Sequence, residues 1–405
     1  MEIVMKKIKS FLNFNENHDK VLSILMGFYF LLLPFEEAFA TPIGTINSLI
    51  GLFLIAYILI KYRKNTFDIN VFTVSLMIWI GYLAISSLWS YYIDWWFYFF
   101  KIYLGQLVFL FVLSVVPFEK YNFSLIEKFV IFTAILVTAI LVLFPDKSSM
   151  AVQDRRTIKI NGTELDPNIL SAIMSFGAIF TIKGVFNNKL VKAILKVLSL
   201  LIIIVGVFLT GSRGGFVGMG FAIFIYLMIE LKNKKNRKKV FMVLGGIAFA
   251  AVIAVLVLPK DLIQRFSLKN LLGLTETNPF YHTRFNIWGY ALESWKFKPI
   301  FGYGCGNFFR AIEITYKQCA SHNMFILQLV EGGIVGEIIF LIPLIWLIYK
   351  LIKTNNLDVI PIFVFIIVMG FTLDNIQNKY FWFGLFYLYQ FILKDRVIVL
   401  KKEEK

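Results

Sequence analysis

Residues 259–323 read PKDLIQRFSLKNLLGLTETNPFYHTRFNIWGYALESWKFKPIFGYGCGNFFRAIEITYKQCASHN, and they interrupt a chain that is otherwise mostly apolar. A helix that crosses a bilayer needs about twenty consecutive apolar residues. The segment 259–321 contains no such window, and it gathers arginine, histidine and cysteine in one place. We therefore predict a large loop here, and we expect any reactive side chains to concentrate in it.

The composition on both sides of this loop predicts an integral membrane protein. Of the 405 residues, 59% are hydrophobic and 16% are charged, with a mean hydropathy of +0.74. Soluble domains carry about 25% charged residues. The apolar segments are long continuous runs and not alternating stretches of about ten residues, which indicates helices and not barrel strands. The predicted fold class is an all-α polytopic membrane protein.

Apolar windows predict about twelve transmembrane helices, with one large extracytoplasmic loop that contains short helices. The predicted spans are 21–39, 44–60, 71–90, 97–117, 125–144, 167–182, 190–210, 215–231, 240–258, 323–349, 358–373 and 380–393. The predicted organisation is a cytoplasmic segment at 1–20, a bundle over 21–258, the loop at 259–321, three helices over 322–393 and a cytoplasmic tail at 394–405.

The basic run KNKKNRKK at 232–239 predicts the orientation. Short loops rich in Lys and Arg stay in the cytoplasm, so this run and both termini are expected there. The same bias accounts for the formal charge of +16 without nucleic-acid binding. The first twenty residues lack a signal-peptide cleavage site. This orientation places the loop outside, together with three smaller polar segments at 34–39, 146–168 and 211–215.

The turn GSRGG at 211–215 opens the eighth predicted helix. Gly211, Gly214 and Gly215 permit a tight turn and close approach of a ligand. A helix N-terminus attracts anions, and the planar guanidinium of Arg213 is suited to phosphate oxygens. A tight helical hairpin with an interfacial arginine explains the pattern equally well.

A second arginine opens the stretch RFNIWGYALESW at 284–295, which predicts a short amphipathic helix with Arg284 in its first turn. Trp288 follows Arg284 at helical spacing, and Ile287 and Leu292 supply an apolar side. The stretch KPIFGYGCGNF downstream is predicted to be a loop because of its three glycines. It is no dinucleotide-binding motif, since no strand precedes it.

The two cysteines, Cys305 and Cys319, both fall in the predicted outer loop. In an oxidising compartment they could form a disulfide, which would contribute about 3 kcal/mol by closing the loop. Two independent buried thiols are the alternative. Two cysteines and three histidines are too few for a recognised metal-ligand cluster. No metal site is expected.

The residues SHN at 321–323 are predicted to open the tenth span, with Ser321 as the N-cap. The helix dipole would then favour a neutral His322, able to act as a base near neutral pH. A structural histidine is the alternative. Lys101 is predicted to lie near the outer end of the fourth span, where it would either extend to the interface or contact an anionic ligand.

These residues resemble the O-antigen ligase and polymerase family of membrane glycosyltransferases. The matching motifs are Asp-Pro-Asn-x-Leu at 166–170, the Gly-Ser-Arg-Gly-Gly turn with Thr210, R-x-x-I-W-x-x-A-L at 284–292 with Pro299, Gly302 and Gly304, and His322-Asn323 followed by E-x-G at 331–333. With the span layout, the resemblance extends over about residues 20–393.

The resemblance implies transfer of a glycan from undecaprenyl diphosphate to a hydroxyl, on the outer face of the cytoplasmic (inner) membrane. The acceptor is a second lipid-linked glycan in polymerases and a lipid A core in ligases, and a polymerase is the preferred prediction. Membrane lipids, a flippase and a chain-length regulator are further implied partners. A transporter of lipid-linked glycans is a weaker alternative, because the spans show neither internal repeats nor a continuous polar path.

The resemblance also implies roles for single residues. Arg213 and Arg284 would hold the diphosphate and His322 would deprotonate the acceptor, in an inverting displacement without a metal ion or other cofactor. Lys101 and Arg310 are further candidates for the diphosphate. The expected supporting residues are Gly211, Ser212, Gly214, Gly215, Asp166, Asn168, Trp288, Asn323 and Glu331. Asp166 and Glu331 are also the alternative bases, and Glu293 is near the same face.

Overall fold

A computed structural model describes residues 15–41, 44–144, 146–147, 155–257, 263–264, 266–267 and 284–403. The α-helices of this part of the chain are α1 Lys20–Leu32, α2 Ile46–Lys61, α3 Val71–Ile85, α4 Ile93–Ser114, α5 Phe123–Leu143, α6 Pro167–Phe186, α7 Leu190–Leu209, α8 Arg213–Leu231, α9 Arg237–Val257, α10 Arg284–Trp295, α11 Phe308–Ile312, α12 Met324–Lys353, α13 Ile360–Gly370 and α14 Lys379–Glu403. The 3₁₀ helices are Leu33–Phe35, Glu37–Phe39, Ser86–Leu88, Phe118–Lys120, Lys234–Asn236, Leu357–Val359 and Asn375–Gln377.

Six two-residue strands form three antiparallel hairpins within the described ranges. They are β1 Ala40–Thr41 with β2 Gly44–Thr45, β3 Asp146–Lys147 with β4 Arg156–Thr157, and β5 Lys159–Ile160 with β6 Thr163–Glu164. Their registers pair Ala40 with Thr45, Asp146 with Thr157, and Lys159 with Glu164. Since the strands are so short, the predicted all-α class is confirmed.

Each of the predicted spans coincides with one of these helices. Within the part of the chain that the structure describes, seven segments are long and apolar enough to cross a membrane, which supports a multi-pass membrane protein. They are Val71–Leu88, Ile93–Ser114, Phe123–Leu143, Pro167–Phe186, Leu190–Leu209, Arg213–Leu231 and Met324–Lys353, and the shorter apolar helices are Lys20–Phe35, Ile46–Lys61 and Leu357–Gly370. Twelve spans and one large loop stay predictions, since 268–283 lies outside the described residues.

Helix α6 is the centre of the bundle. In its best apolar window 83% of the residues are buried, against 33–50% for the other six candidate spans. Small residues allow this close packing: a Cβ added to Gly177 would collide with the side chain of Ala134 on α5. Asp166 caps α6, and Pro167 occupies its first turn, where a missing N–H costs nothing. The N-terminal end of α6, capped by Asp166, lies at the site described below.

Helix α12 is broken at Gly333, where φ is +62° and ψ is −169°. A broken helix leaves backbone groups without intrahelical partners, which is costly inside a bilayer. The glycine-rich loop, residues 298–307, supplies these partners. Its hydrogen bonds are Tyr303 N to Val330 O (3.1 Å), Gly304 N to Glu331 O (2.8 Å), Ile334 N to Pro299 O (2.9 Å) and Val335 N to Ile300 O (3.2 Å).

The start of α12 differs from the prediction. Asn323, and not Ser321, is the N-cap, because its Oδ1 accepts hydrogen bonds from Phe325 N (3.0 Å) and Ile326 N (3.2 Å). The helix begins at Met324, so His322 lies outside it. The backbone of His322 is left-handed, with φ +50°.

Candidate active site

Two turns that are distant in sequence are joined by the side chain of Asn168. Asp166 Oδ1 accepts hydrogen bonds from Asn168 N (2.7 Å) and Nδ2 (2.9 Å). Asn168 Oδ1 in turn accepts one from Ser212 Oγ at 3.0 Å. Ser212 also caps α8 through Gly215 N at 3.3 Å. The start of α6 and the start of α8, where Arg213 lies, are thereby held side by side.

The glycines of the 211–215 turn are required by this packing. Gly211 has a φ of +62°, which an L side chain rarely adopts. A Cβ added to Gly214 would collide with Thr372, and one added to Gly215 would collide with Ser171 on α6. The turn therefore approaches its neighbours closely and fixes Arg213 as the first residue of α8.

Arg155 is a site residue that the motifs did not predict. Its side chain is only 8% exposed. Its Nε donates to Thr210 O at 2.9 Å, and its Nη2 donates to Asn168 Oδ1 at 2.9 Å. The only indication of this role in the sequence is that Arg155 lies in the polar segment 146–168. Arg155 thus connects this segment to both turns.

Arg155, Arg213 and Arg284 belong to three separate segments, and their charges interact. Burial, followed by the charges of Arg213 and Arg155, lowers the pKa of Arg284 to about 10; Asp374 and Asp166 oppose this shift. Like charges gathered in a poorly hydrated place are costly unless an anion compensates them. Such a group of arginines is chemically suited to an anionic ligand.

His322 lies beside this arginine cluster, in a backbone conformation that few residues other than glycine adopt. Hydrogen bonds to its two chain neighbours, Ser321 and Asn323, hold His322 in this conformation. Trp288 Nε1 donates to Ser321 O at 3.0 Å, and Asp374 Oδ1 accepts from Ser321 Oγ and from Asn323 N, the latter at 3.0 Å. Backbone strain that is held in this way is typical of functional sites. Asp374, in the turn between α13 and α14, is a second residue that the motifs did not predict.

The environment of His322 favours the neutral imidazole. Burial, and then the charge of Arg284, lower its pKa below the ordinary value, while Asp374 and Asp166 act in the opposite direction. A neutral imidazole near neutral pH can accept a proton. Burial and a neighbouring cation therefore lower this pKa, and His322 lies directly before Asn323, the N-cap of α12.

The remaining candidates are more dispersed. Glu331 is buried, and its Oε1 accepts a hydrogen bond from Phe308 N at 3.1 Å, so it positions the glycine-rich loop. Arg310 forms an exposed ion pair with Glu313 at 2.6 Å, and its charge interacts with Tyr91 and Tyr92 and not with the arginine cluster. Glu293 pairs with Lys296 at 2.6 Å on the exposed side of α10.

The side chain of Lys101 is exposed, and Lys101 lies about two turns after the start of α4 at Ile93, deeper in the helix than predicted. Its Nζ is 5.6 Å from the ring centre of Phe97 and 5.4 Å from that of Tyr98. It lines a cavity that also reaches Asp166. Lys101 therefore stands apart from the arginine cluster but on the same face of the bundle.

Both cysteines are free thiols, so of the two alternatives the structure has independent thiols and not a disulfide. Cys305 is buried, and its N donates to Ser86 Oγ at 3.1 Å. Cys319 packs against the apolar cluster around Ile287 and Ala291 of α10. Within the described ranges, no group of three or more His, Cys, Asp or Glu residues could hold a metal ion. Catalysis without a metal stays a prediction.

Comparison with known proteins shows one family and one relative that this chain resembles. Residues 198–341 match the O-antigen ligase family model. This match confirms the resemblance over these residues, which include Arg213, Arg284, the glycine-rich loop and His322. The motif at 166–170 lies outside the match, so the resemblance there stays a prediction. A Haemophilus influenzae protein, named only "Uncharacterized protein", is 24% identical over 210 residues, which are 47% of this chain and 52% of that relative. The match thus spans about half the length of the relative. The O-antigen ligase family match supports a membrane enzyme of the ligase or polymerase type.

Proposed function

We propose that this protein is a membrane glycosyltransferase that transfers a glycan from undecaprenyl diphosphate to an acceptor hydroxyl. One observation carries the proposal: Arg155, Arg213 and Arg284 gather beside a histidine whose environment keeps it neutral. The arginines fit an anionic leaving group, and the histidine fits a base. Together these are the two functions that direct glycosyl transfer requires.

A lipid diphosphate suits this site for a chemical reason. Guanidinium groups pair bidentately with phosphate oxygens, and such contacts are strong where water is scarce. If the lysine run is cytoplasmic, as predicted, the site lies outside the cytoplasm, where sugar nucleotides and ATP are absent. A donor at that face must bring its own activation across the membrane, and a lipid-linked diphosphate does so.

The proposed reaction is a single displacement. The acceptor oxygen bonds to the anomeric carbon of the donor glycan while the bond from that carbon to the phosphate oxygen breaks. The hydroxyl proton passes to His322, and undecaprenyl diphosphate leaves with the electron pair. The arginines compensate the negative charge that develops on the leaving oxygen. Attack opposite the leaving group inverts the anomeric configuration.

For the acceptor, we propose a second lipid-linked glycan, which makes the protein a polymerase. Transfer to a lipid A core is the alternative, and the name of the matching family model favours it. The polymerase reaction needs no acceptor other than the donor species itself.

One experiment separates the two. The purified full-length protein is incubated with lipid-linked repeat units, alone or with a lipid A core, and the products are resolved by size. A ladder from repeat units alone supports the polymerase. A product that forms only with the core identifies a ligase, and the absence of any transfer in both arms contradicts the proposed function.

A further inference from the structure

A cavity of about 1010 Å³ lies between α1, α2, α4 and α6 and the turn before α14. It touches Asp166, but Arg155, Arg213, Arg284 and His322 do not line it. The cavity is therefore separate from the arginine cluster. Asp166 connects them, because it lines the cavity and its charge interacts with Arg155 and Arg284. The reaction proposed above leaves it without a role.

One end of the cavity is polar. Glu36, Glu37, Asp166 and the amides of Gln377 and Asn378 line it there. Lys379 Nζ pairs with Glu36 and donates to Thr45 Oγ1 and Ser48 Oγ, both at 3.1 Å. Carboxylates, amides and hydroxyls in one place can exchange hydrogen bonds with several hydroxyls of a ligand.

The other end is apolar and continuous with the lipid-facing surface. Leu52 and Ile55 of α2 face Leu104 and Val108 of α4 across it. Leu52, Leu104 and Val108 are 60%, 39% and 41% exposed. From Thr45 to Ile55 the wall extends about 15 Å along α2, at about 1.5 Å per residue. The cavity thus changes from polar to apolar along its length, as an amphiphile does.

We propose that this cavity binds the acceptor of the transfer reaction, an amphiphilic glycan whose sugar lies at the polar end and whose hydrocarbon chain lies between α2 and α4. The inference rests on the proposed function. It assigns the donor and the acceptor to two adjoining places.

The charges distinguish this cavity from the donor site. Its lining has three carboxylates and two ammonium groups, and Lys379 is already paired with Glu36. The three guanidinium groups of the arginine cluster suit the leaving diphosphate, whereas carboxylates and amides suit sugar hydroxyls. A lipid-linked acceptor carries a diphosphate of its own between sugar and chain, and Lys101, which lines the cavity before Leu104 on α4, provides a cation for it. Asp166 lines the cavity and also interacts with Arg284 and His322. A hydroxyl bound near Asp166 would therefore be close to the base.

Two exposed glycines provide the test. Gly105 lines the apolar end of the cavity, and Gly220 of α8 does not, yet a Cβ added at either position would have no atom within 4 Å. Gly105→Leu should narrow the cavity without disturbing the fold, and Gly220→Leu is the matched control. We expect Gly105→Leu to raise the acceptor KM by about tenfold, equivalent to about 1.4 kcal/mol. The kcat at saturating acceptor should stay unchanged.

Turnover is measured in two arms, one with repeat units alone and one with saturating repeat units and varied lipid A core. In the first arm donor and acceptor are the same species, so a raised KM is assigned to the acceptor only if binding of the donor-site probe described below is unchanged. The arm in which the KM rises identifies the natural acceptor. Binding is measured independently of turnover with a dodecyl glycoside that carries a photoreactive group on its chain. Cross-links should map to α2 and α4 and should decrease in Gly105→Leu. Farnesyl diphosphate serves as the probe for the donor site, and its binding should not change.

Three results would overturn the proposal. The first is weakened binding of farnesyl diphosphate in Gly105→Leu, which would assign the cavity to the donor. The second is an equal effect of Gly220→Leu, and the third is the absence of cross-links to α2 and α4. Because the cross-linking needs no turnover, a failure of the proposed enzyme activity remains distinguishable from a failure of this inference.

Discussion

At the scale of single residues, the proposed mechanism gives His322 and the arginines different roles, so their loss should have different effects. His322→Ala removes the proton acceptor, so turnover should fall by roughly a hundred- to ten-thousand-fold. Donor binding should change little, because a neutral imidazole attracts a diphosphate weakly. Turnover and donor binding are measured side by side on folded protein. Near-normal turnover would move the base assignment to Asp166.

Arg213→Ala and Arg284→Ala should instead weaken binding of the lipid diphosphate. Each lost charge-assisted hydrogen bond should cost about 1.5–3 kcal/mol, and the dependence of binding on salt should become shallower. Lysine at either position should restore binding only in part, because its ammonium group lacks the bidentate geometry. Exposed Arg310, replaced by alanine, is the control. Unchanged donor binding in both arginine variants would contradict the anion-site assignment.

The pH profile tests the positioning role of Asp374. Its carboxylate favours the protonated imidazole, while burial and Arg284 lower the pKa of His322 further than Asp374 raises it. The acid limb of kcat/KM, where His322 gains its proton, should therefore lie below pH 6.5, the ordinary histidine value. Asp374→Asn keeps the hydrogen-bond acceptor for Ser321 and Asn323 but removes the charge, so the limb should move to lower pH. A shift to higher pH would contradict this assignment.

Part of this site could be predicted because some of its residues lie in recognisable local sequence patterns. Glycines and an arginine at a helix start leave a local pattern, and Arg213, Arg284 and His322 were identified from such patterns. Arg155 and Asp374 act through partners that are far away in the chain, at Thr210 and at Ser321. No local pattern records those contacts. The N-cap was misplaced because serine and asparagine are both strong caps two residues apart.

At the scale of elements, the break in α12 is the feature that the sequence did not reveal. Its apolar periodicity continues across Gly333, so one uninterrupted span was predicted. The partners of the freed backbone groups lie about thirty residues earlier, between Pro299 and Gly304. By contrast, the helices could be predicted from continuous apolar runs. A transmembrane helix needs about twenty apolar residues and a transmembrane strand only about ten, so the length of a run distinguishes the two.

Adjacent glycines allow a matched test of the break. Gly333→Ala should destabilise the fold, because φ at Gly333 is +62° and a Cβ would collide with Ile300 O. The strain alone is worth about 1–3 kcal/mol. At Gly332 the nearest atom to an added Cβ is Tyr82 Cε1 at 3.5 Å, an ordinary contact, so Gly332→Ala should be tolerated. Thermal unfolding midpoints in one detergent compare the two variants, and equal midpoints would argue against a required break.

At the scale of the whole molecule, the orientation is the outstanding prediction. Helix α8 begins at Arg213 and ends next to the lysine run, so the two lie about 28 Å apart at about 1.5 Å per residue. A cytoplasmic lysine run therefore requires a site on the outer face. Lys235→Cys and Lys317→Cys, each in a chain whose Cys305 and Cys319 are replaced by alanine, are treated with an impermeant thiol reagent in intact cells. Only Lys317→Cys should react; labelling of Lys235→Cys would reverse the topology.

The break at Gly333 also sets an order of events during biosynthesis. The ribosome completes the glycine-rich loop before it reaches the second half of α12. The backbone groups on both sides of Gly333 need that loop as their partner, because hydrocarbon offers none. Insertion of α12 and docking of the loop must therefore happen together. The last helices of the newly synthesised chain therefore complete the proposed site, although Arg155, Arg213 and Arg284 are translated earlier.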